Sequence, residues 1–380
     1  MPDQFTTVTT RGYGSRIIDS IKGVILGFIL FVTAFGVLYW NEGRVDMSTV
    51  AKKSTEISSS APSDGSANGT FVSTTGTVFS TETLGDSLFL KPGAYLEVNR
   101  VPEMYAWTEE KTEKKQSNTG GSETTTTTHT YKMEWTAKPV NSSSFNQPTG
   151  HVTPAMKLTA STATVSELSV GVYKVDGKLV DLPPATALDL SAENLTIPAD
   201  AKISDNHLYV SGANPGAPVL GNERVSYTVL KGGFTGTVFG KAEGSKISRY
   251  TDEKGNTLYR VFAGDRAASL AQLHGEFVMA LWLFRLLGFM MMWIGLGLIL
   301  GPVGIILDFF PILGSIGKAA ISLVTFPVAL VLSVITIVVS MLLHSIVALL
   351  IVLGLALAGI GYLVYRNKDK LPKMPSFNKA

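Results

Sequence analysis

The sequence predicts an α+β membrane protein in which four transmembrane helices, one N-terminal and three C-terminal, carry a large β-rich extracytoplasmic domain. Three observations predict it. Apolar residues run almost unbroken from Phe277 to Tyr365. A second apolar stretch, Ile17 to Trp40, stands near the N-terminus. Between them the chain is rich in Thr, Ser, Val and Gly, and its clearest segments have the two-residue period of half-buried strands.

Residues 1–16 are polar, carry Arg11 and Arg16, and read as a cytoplasmic N-terminal segment. Residues 17–40 are long enough to span a bilayer core, which takes roughly 20 apolar helical residues. They end in Leu38-Tyr39-Trp40-Asn41 with no small-x-small cleavage site, so the stretch is an anchor and not a removable signal. Tyr39 and Trp40 mark its outer interface. Residues 41–277 then form the extracytoplasmic domain.

The C-terminal block divides into helices at 278–300, 319–340 and 345–365. Lipid offers backbone amides no partner, and the block lacks the alternation of barrel strands. A hinge at 301–318 breaks the first two helices on the cytoplasmic side; it holds Asp308, Pro302, Pro311 and Lys318. The tail, 366–380, carries Arg366, Lys368, Lys370, Lys373 and Lys379 against Asp369, and is expected to be cytoplasmic. Both termini inside requires an even number of spans.

Charge follows the same division. The net formal charge is +2, against a nucleic-acid partner that would need a broad basic face. Residues 41–280 carry 22 Lys/Arg and 26 Asp/Glu, so the basic excess lies with the membrane segments and tails. The chain has no cysteine, which removes disulfides, thiol nucleophiles and thiolate metal sites.

Within the domain, strands are expected at Thr70–Ser80, Ala94–Val98, Val225–Leu230, Phe234–Phe239 and Thr257–Phe262, after a Ser/Gly-rich linker from Ser54 to Gly69 with some strand order near the anchor. A long hairpin is the most legible element. Its arms lie around Glu103–Glu110 and His129–Ala137, with Gly120-Gly121 at the centre. Pairing about that centre sets Tyr105 opposite Trp135, Trp107 opposite Met133 and Glu109 opposite Tyr131, which gives one aromatic face. Tyr105, Trp107 and Trp135 are its candidate packing or interaction residues. The tip, Lys111–Thr128, reads as a solvated loop, with a partner-gripping arm as the alternative. Between Leu158 and Pro218 turn signals stand without a clear period.

Catalytic motifs are scarce. Gly85-Asp86-Ser87-Leu88 spells an esterase signature, but a nucleophilic serine needs a histidine base and an orienting acid, and no Asp-x-x-His element follows; a turn is the expected reading. His129, His151, His207, His274 and His344 are scattered without a His-x-x-x-His pair, so no metal or cofactor is expected. Gly240-Lys241 lacks the rest of a phosphate loop. Arg285, two turns into its helix, is expected to snorkel to the headgroups. Asp308 falls at the inner edge within reach of Lys318. Gly23 with Gly27, and Gly297 with Gly301, have the small-x-x-x-small spacing of close helix contacts.

Several segments together resemble the transmembrane protein 43 (LUMA) family: Asn41-Glu42-Gly43-Arg44, Glu103-Met104-Tyr105-Ala106-Trp107, Tyr131 with Glu134-Trp135, Phe145, Gly150-His151, Pro154-Ala155-Met156, Arg224-Val225-Ser226-Tyr227, and Asp308-Phe309-Phe310-Pro311. Their order covers nearly the whole chain. The resemblance implies a four-pass protein whose large loop faces the ER lumen and perinuclear space, or the periplasm in a bacterial member, and brings no catalytic residues. It implies a membrane organiser or scaffold that self-associates and contacts other membrane proteins. The missing cysteines and the Ser/Thr-rich loop point to a bacterial homologue in the inner membrane.

The expectation is therefore a non-enzymatic scaffold whose partners are the lipid bilayer, copies of itself and other membrane proteins. The alternative is an envelope sensor whose domain binds a ligand; behind it stands a membrane-bound hydrolase or transport subunit. Asp308-Phe309-Phe310-Pro311 is the candidate for a cytoplasmic contact.

Overall fold

The computed structural model describes residues 3–61, 65–118, 120–308 and 314–345, with isolated positions between 350 and 362. Side chains at 308 and 314–319 are outside the description. The elements used below are, in chain order, β1 (Asp3–Arg11), α1 (Tyr13–Glu42), α2 (Met47–Ala51), β2 (Phe71–Phe79), β3 (Tyr95–Ser117), β4 (Glu123–Thr136), β5 (Glu167–Val170), β6 (Tyr173–Asp176), β7 (His207–Tyr209), β8 (Glu223–Lys231), β9 (Phe234–Glu243), β10 (Lys246–Ser248), α3 (Arg266–Ile299), α4 (Gly301–Asp308) and α5 (Gly314–His344). They fall into two units. One holds residues 1–10, 46–116 and 124–277; the other holds 11–45, 117–123 and 278–380.

The first unit is β-rich. β2 and β9 pair antiparallel over eight positions, Phe234 opposite Val78 through Lys241 opposite Phe71. β9 continues into β10, β5 pairs with β6, and β2 pairs with β5. A parallel seam between β10 and β6, with Lys246 opposite Lys174, closes these five strands into a barrel. Alternation fills its interior: Val72, Val78, Leu168, Val170, Tyr173, Val175, Val238 and Ile247 are all buried. Each such aliphatic side chain contributes roughly 1.5–3 kcal/mol on burial. Where β2 and β9 cross, Gly76 stands opposite Gly236, and a Cβ on Gly236 would lie 2.8 Å from the Phe262 carbonyl oxygen. Only glycine fits that approach.

A second sheet runs β1, β4, β3, β8, β7 and on to Lys202–Ser204. Its core gathers Val98, Leu208, Val225, Tyr227 and Val229 with Leu90 and Leu195. The expected strands at 225–230 and 234–239 are present with extended ends, that at 70–80 runs from 71 to 79, that at 257–262 is split into Thr257–Leu258 and Arg260–Ala263, and the one at 94–98 is the start of the much longer β3. The expected linker, 54–69, supplies a short strand, Thr55–Glu56, parallel to β2.

Two polar segments carry more strand than expected. Residues 3–11, for which no element was expected, form β1 and join the sheet beside β4. The hairpin tip is not a loop from 111 to 128: β3 extends to Ser117, β4 begins at Glu123, and the ladder accommodates the threonines because β-branched side chains suit a pleated surface.

The second unit is helical. α1 covers the expected anchor and extends to Tyr13 and Glu42. At its start Arg16 donates to the Gly121 carbonyl and lies 3.7 Å from Glu123, so the hairpin turn is held there. α3 begins at Arg266, well before the expected 278, because the Asp265 carboxylate accepts the Ala268 N–H (2.8 Å) and starts the helix. α4 occupies the first half of the expected hinge, and α5 contains Pro327 and extends past the expected end at 340.

Among the described residues, three helices are long and apolar enough to cross a membrane: Tyr13–Ala51, Arg266–Ile299 and Ala320–His344. That is one fewer than expected. The fourth expected span, 345–365, lies outside the described residues apart from its first residue and isolated positions, as do Phe309, Phe310, Pro311 and the side chains of Asp308 and Lys318.

Candidate functional site

In the β unit, alternate residues of β3, β4, β8 and β7 build one aromatic and charged face. Tyr105 and Trp135 stand with ring centroids 5.4 Å apart, as the hairpin pairing predicts. The Arg224 guanidinium lies 4.4 Å from the centre of the Trp135 ring and donates to Glu103 through Nε and Nη2, both at 2.7 Å, and to the Tyr209 hydroxyl (3.1 Å). His207 stands 3.5 Å from the same Glu103 oxygen. Arg224 and Glu103 are directly opposite in the β8–β3 register. That pairing, far apart in sequence, was the part not readable beforehand.

Further along the face, Glu109 is the acceptor for three groups: His129 Nδ1, the Tyr131 hydroxyl (2.9 Å) and the Asn146 N–H (3.1 Å). The Glu109–Tyr131 contact is the second predicted neighbour pair. Burial opposes ionisation of Glu109, but those three donors hold its carboxyl below the usual range. Burial, with the Glu109 carboxylate, pushes the Tyr131 hydroxyl up. Trp107 packs edge-on to His151 at 4.7 Å, and Tyr131 stacks on the same imidazole at 4.0 Å. His151 is buried, donates through Nδ1 to the Gln147 carbonyl (2.8 Å), and faces Asp3 of β1 (3.1 Å). The segments at 103–107, 131–135, 145–151 and 224–227 thus meet in one place.

Gly85-Asp86-Ser87-Leu88 is a turn. Asp86 Oδ1 accepts the N–H groups of Leu88, Phe89 and Leu90, while Oδ2 accepts from Arg100 (2.8 Å) and the Tyr227 hydroxyl (2.6 Å). The acid of the motif is a structural clasp. Among the described residues no group of three or more His, Cys, Asp or Glu is placed to hold a metal ion.

In the helical unit, Asn41-Glu42-Gly43-Arg44 is a polar fastener. Asn41 Nδ2 donates to the Leu281 carbonyl of α3 (3.0 Å). Arg285 forks onto Glu42, Nε to Oε1 and Nη2 to Oε2, both at 2.8 Å. Glu42 is 3% exposed and Arg285 15%. Arg285 is therefore a bidentate helix tie, not the snorkelling anchor expected from its position alone. Arg44 lies over Trp40 and Phe284, 5.5 and 5.4 Å from their centres. Gly43 abuts the His344 ring of α5, which donates through Nδ1 to the Ser340 carbonyl (2.9 Å) and packs on Tyr39 at 4.5 Å. The signal was available: an acid ending one apolar helix and an arginine inside another.

The glycine pairs divide. A Cβ on Gly27 would lie 2.7 Å from the Gly295 carbonyl oxygen and 2.8 Å from Leu298 Cβ, so α1 and α3 touch backbone to backbone there. Gly23 is looser, 3.9 Å from Leu298, and Gly295 is the partner the spacing rule missed. Among the described residues, a Cβ on Gly297 or Gly301 would meet nothing within 4 Å, and both line a groove of about 330 Å³ with Trp293, Ile321 and Thr325. Gly27→Ala is accordingly expected to destabilise the bundle by about 1–3 kcal/mol through overpacking. Within one protomer Gly301→Ala should be neutral or slightly stabilising, since alanine is the better helix former. Thermal aggregation in mild detergent checks both; equal effects would remove the distinction.

A family model described as Transmembrane protein 43 matches residues 104–346, well over half of the chain. The chain belongs to that family. Transmembrane protein 43 of Homo sapiens is 26% identical over 392 residues, covering 97% of this chain and 95% of its own. The proteins of the same name from Pongo abelii (26%, covering 93% and 92%) and Mus musculus (25%, covering 87% of each) are similar to it at the same level. No solved structure matches. The match to the Transmembrane protein 43 family takes in the aromatic face, α3 and α5.

Proposed function

We propose that this family member is a non-enzymatic multi-pass membrane protein that scaffolds a membrane assembly as an oligomer. The observation that carries the reading is the division among the glycines: Gly27 is consumed inside the bundle, whereas Gly297 and Gly301 offer a close-packing surface that the described chain leaves unfilled. The polar clusters support it. Asp86, Glu109, Glu103 and Glu42 all spend their oxygens on neighbouring donors, and Ser87 belongs to a turn whose acid is already engaged. The proposed setting is a bacterial inner membrane with a periplasmic domain, or the ER and inner nuclear membrane with a luminal one in a eukaryote.

The sensor alternative would use a cavity of about 390 Å³ lined by Lys157, Asp200 and Glu223. Glu223 already accepts the N–H groups of Lys157 and Leu158 there (2.7 and 2.8 Å), which weakens that reading.

Native mass measurement after mild-detergent extraction tests the proposal. A multiple of the 40.6 kDa protomer is expected, with other membrane proteins co-purifying. Ser87→Ala should leave mass and partners unchanged. A monomer without partners would overturn the scaffold reading.

A further inference from the structure

Strand β4 presents an edge built from threonine. Thr124 to Thr128 run without proline, glycine or charge, and β3 occupies only the other side of the strand. The open side is capped by β1. Thr10 and Thr6 place their hydroxyls 3.4 Å from those of Thr124 and Thr128, Gln4 reaches Thr130, and Asp3 faces His151. Every residue of β1 except Thr7 is exposed, so this cap is a backbone ladder with little buried area behind it.

Connectivity sets a condition on the cap. β1 leads directly into α1, and α1 leads into residues 46–265, which contain β4. Among the described residues of 46–265 no helix is long and apolar enough to cross a membrane. An α1 that crosses therefore leaves β1 and β4 on opposite faces, and a hydrogen-bonded ladder of polar strands cannot run through lipid. Pairing of β1 with β4 and crossing by α1 exclude each other. The Arg16 grip on Gly121 is subject to the same condition.

We propose that, once α1 crosses the bilayer, the β4 edge is vacated by β1 and pairs with the same edge of a second copy, antiparallel about a two-fold axis. The occupant follows from the edge. A threonine run is self-complementary, since threonine opposite threonine is a favourable cross-strand pair, the type already seen between β1 and β4. Two identical antiparallel strands satisfy the isologous requirement of a two-fold dimer. The threonine run itself carries no lysine or proline of the kind that protects natural edges from such pairing; Lys132 and Glu134 stand further along the strand. The interface rests on the oligomeric reading above and adds to the helix surface at Gly297 and Gly301 a second contact, in the β unit.

The absence of cysteine makes the test direct. Single variants Thr124→Cys, Thr126→Cys and Thr128→Cys are oxidised in sealed membranes. Interchain disulfide dimers are expected, strongest at the position nearest the two-fold axis. The double variant Thr6→Cys with Thr128→Cys should form no intrachain bond in the same membranes. Thr126→Lys should lower the dimer fraction about tenfold. An intrachain Thr6–Thr128 disulfide in membranes, with no interchain product from any single variant, overturns the proposal. So does an unchanged native mass for Thr126→Lys, which would leave the oligomer standing on another surface. A monomeric parent protein would overturn both.

Discussion

Asp86→Ala should be among the most destabilising single substitutions in the β unit, costing about 3–5 kcal/mol. The reason is what it strands. Arg100 is 7% exposed and Asp86 6%, and removing one member of a buried pair leaves the other charge without compensation. The substitution also orphans three backbone N–H groups of the turn and the Tyr227 hydroxyl. Tyr227→Phe removes a single donor and should cost about 1 kcal/mol. Thermal melting of the full chain in mild detergent separates the two; an Asp86→Ala protein that melts with its parent would show that the clasp carries no load.

Acid should have a related effect. Burial opposes the charge on Asp86, but the Tyr227 hydroxyl, the Phe89 and Leu90 N–H groups and Arg100 hold its carboxyl below the ordinary value. A carboxyl depressed in the folded state contributes stability that is full above its unfolded value, about 3.9, and is lost as pH falls from there through the folded value. Stability of the parent is expected to drop below about pH 4. Asp86→Asn should lack that component of the drop.

Arg285→Met should cost the helical unit about 3–5 kcal/mol, whereas the double variant Glu42→Gln with Arg285→Met recovers most of it. The single change leaves the carboxyl of Glu42, 3% exposed, without its fork; the double change leaves neither partner of the ion pair. A double-mutant cycle on thermal aggregation gives the coupling. Purely additive effects would mean that the two side chains are neighbours without mutual dependence.

What could be read in advance followed the reach of each signal. Long apolar runs and the two-residue alternation of 71–79, 223–231 and 234–243 repeat often enough to be legible, and the hairpin's own symmetry located Tyr105 against Trp135 and Glu109 against Tyr131. The region from 158 to 218 builds strands of two to four residues, too few for a period, and its parallel partner β10 lies far away in sequence. Glu42 and Arg285 are 243 residues apart, so the charge on each was visible and their meeting was not. The esterase-like motif is the turn expected of it, and what its letters did not show is that Asp86 also ties Arg100 and Tyr227. β1 escaped notice because Phe5 and Val8 fall on opposite faces of an otherwise polar strand, and because Arg11 with the nearby Arg16 suggested a membrane flank.

Closure of the barrel bears on synthesis. β2 is finished at residue 79, but the strand that seals it, β9, begins at residue 234 and the parallel seam needs β10 as well. A chain made from its N-terminus at about 5–20 residues per second therefore keeps β2 without that partner for on the order of ten seconds. During that interval its valines stand as an exposed strand edge in the compartment where the domain emerges. A holding factor, or slow release of the chain, would matter most at that stage, and proteolysis of nascent chains truncated near residue 230 should be far faster than of chains that have passed residue 250.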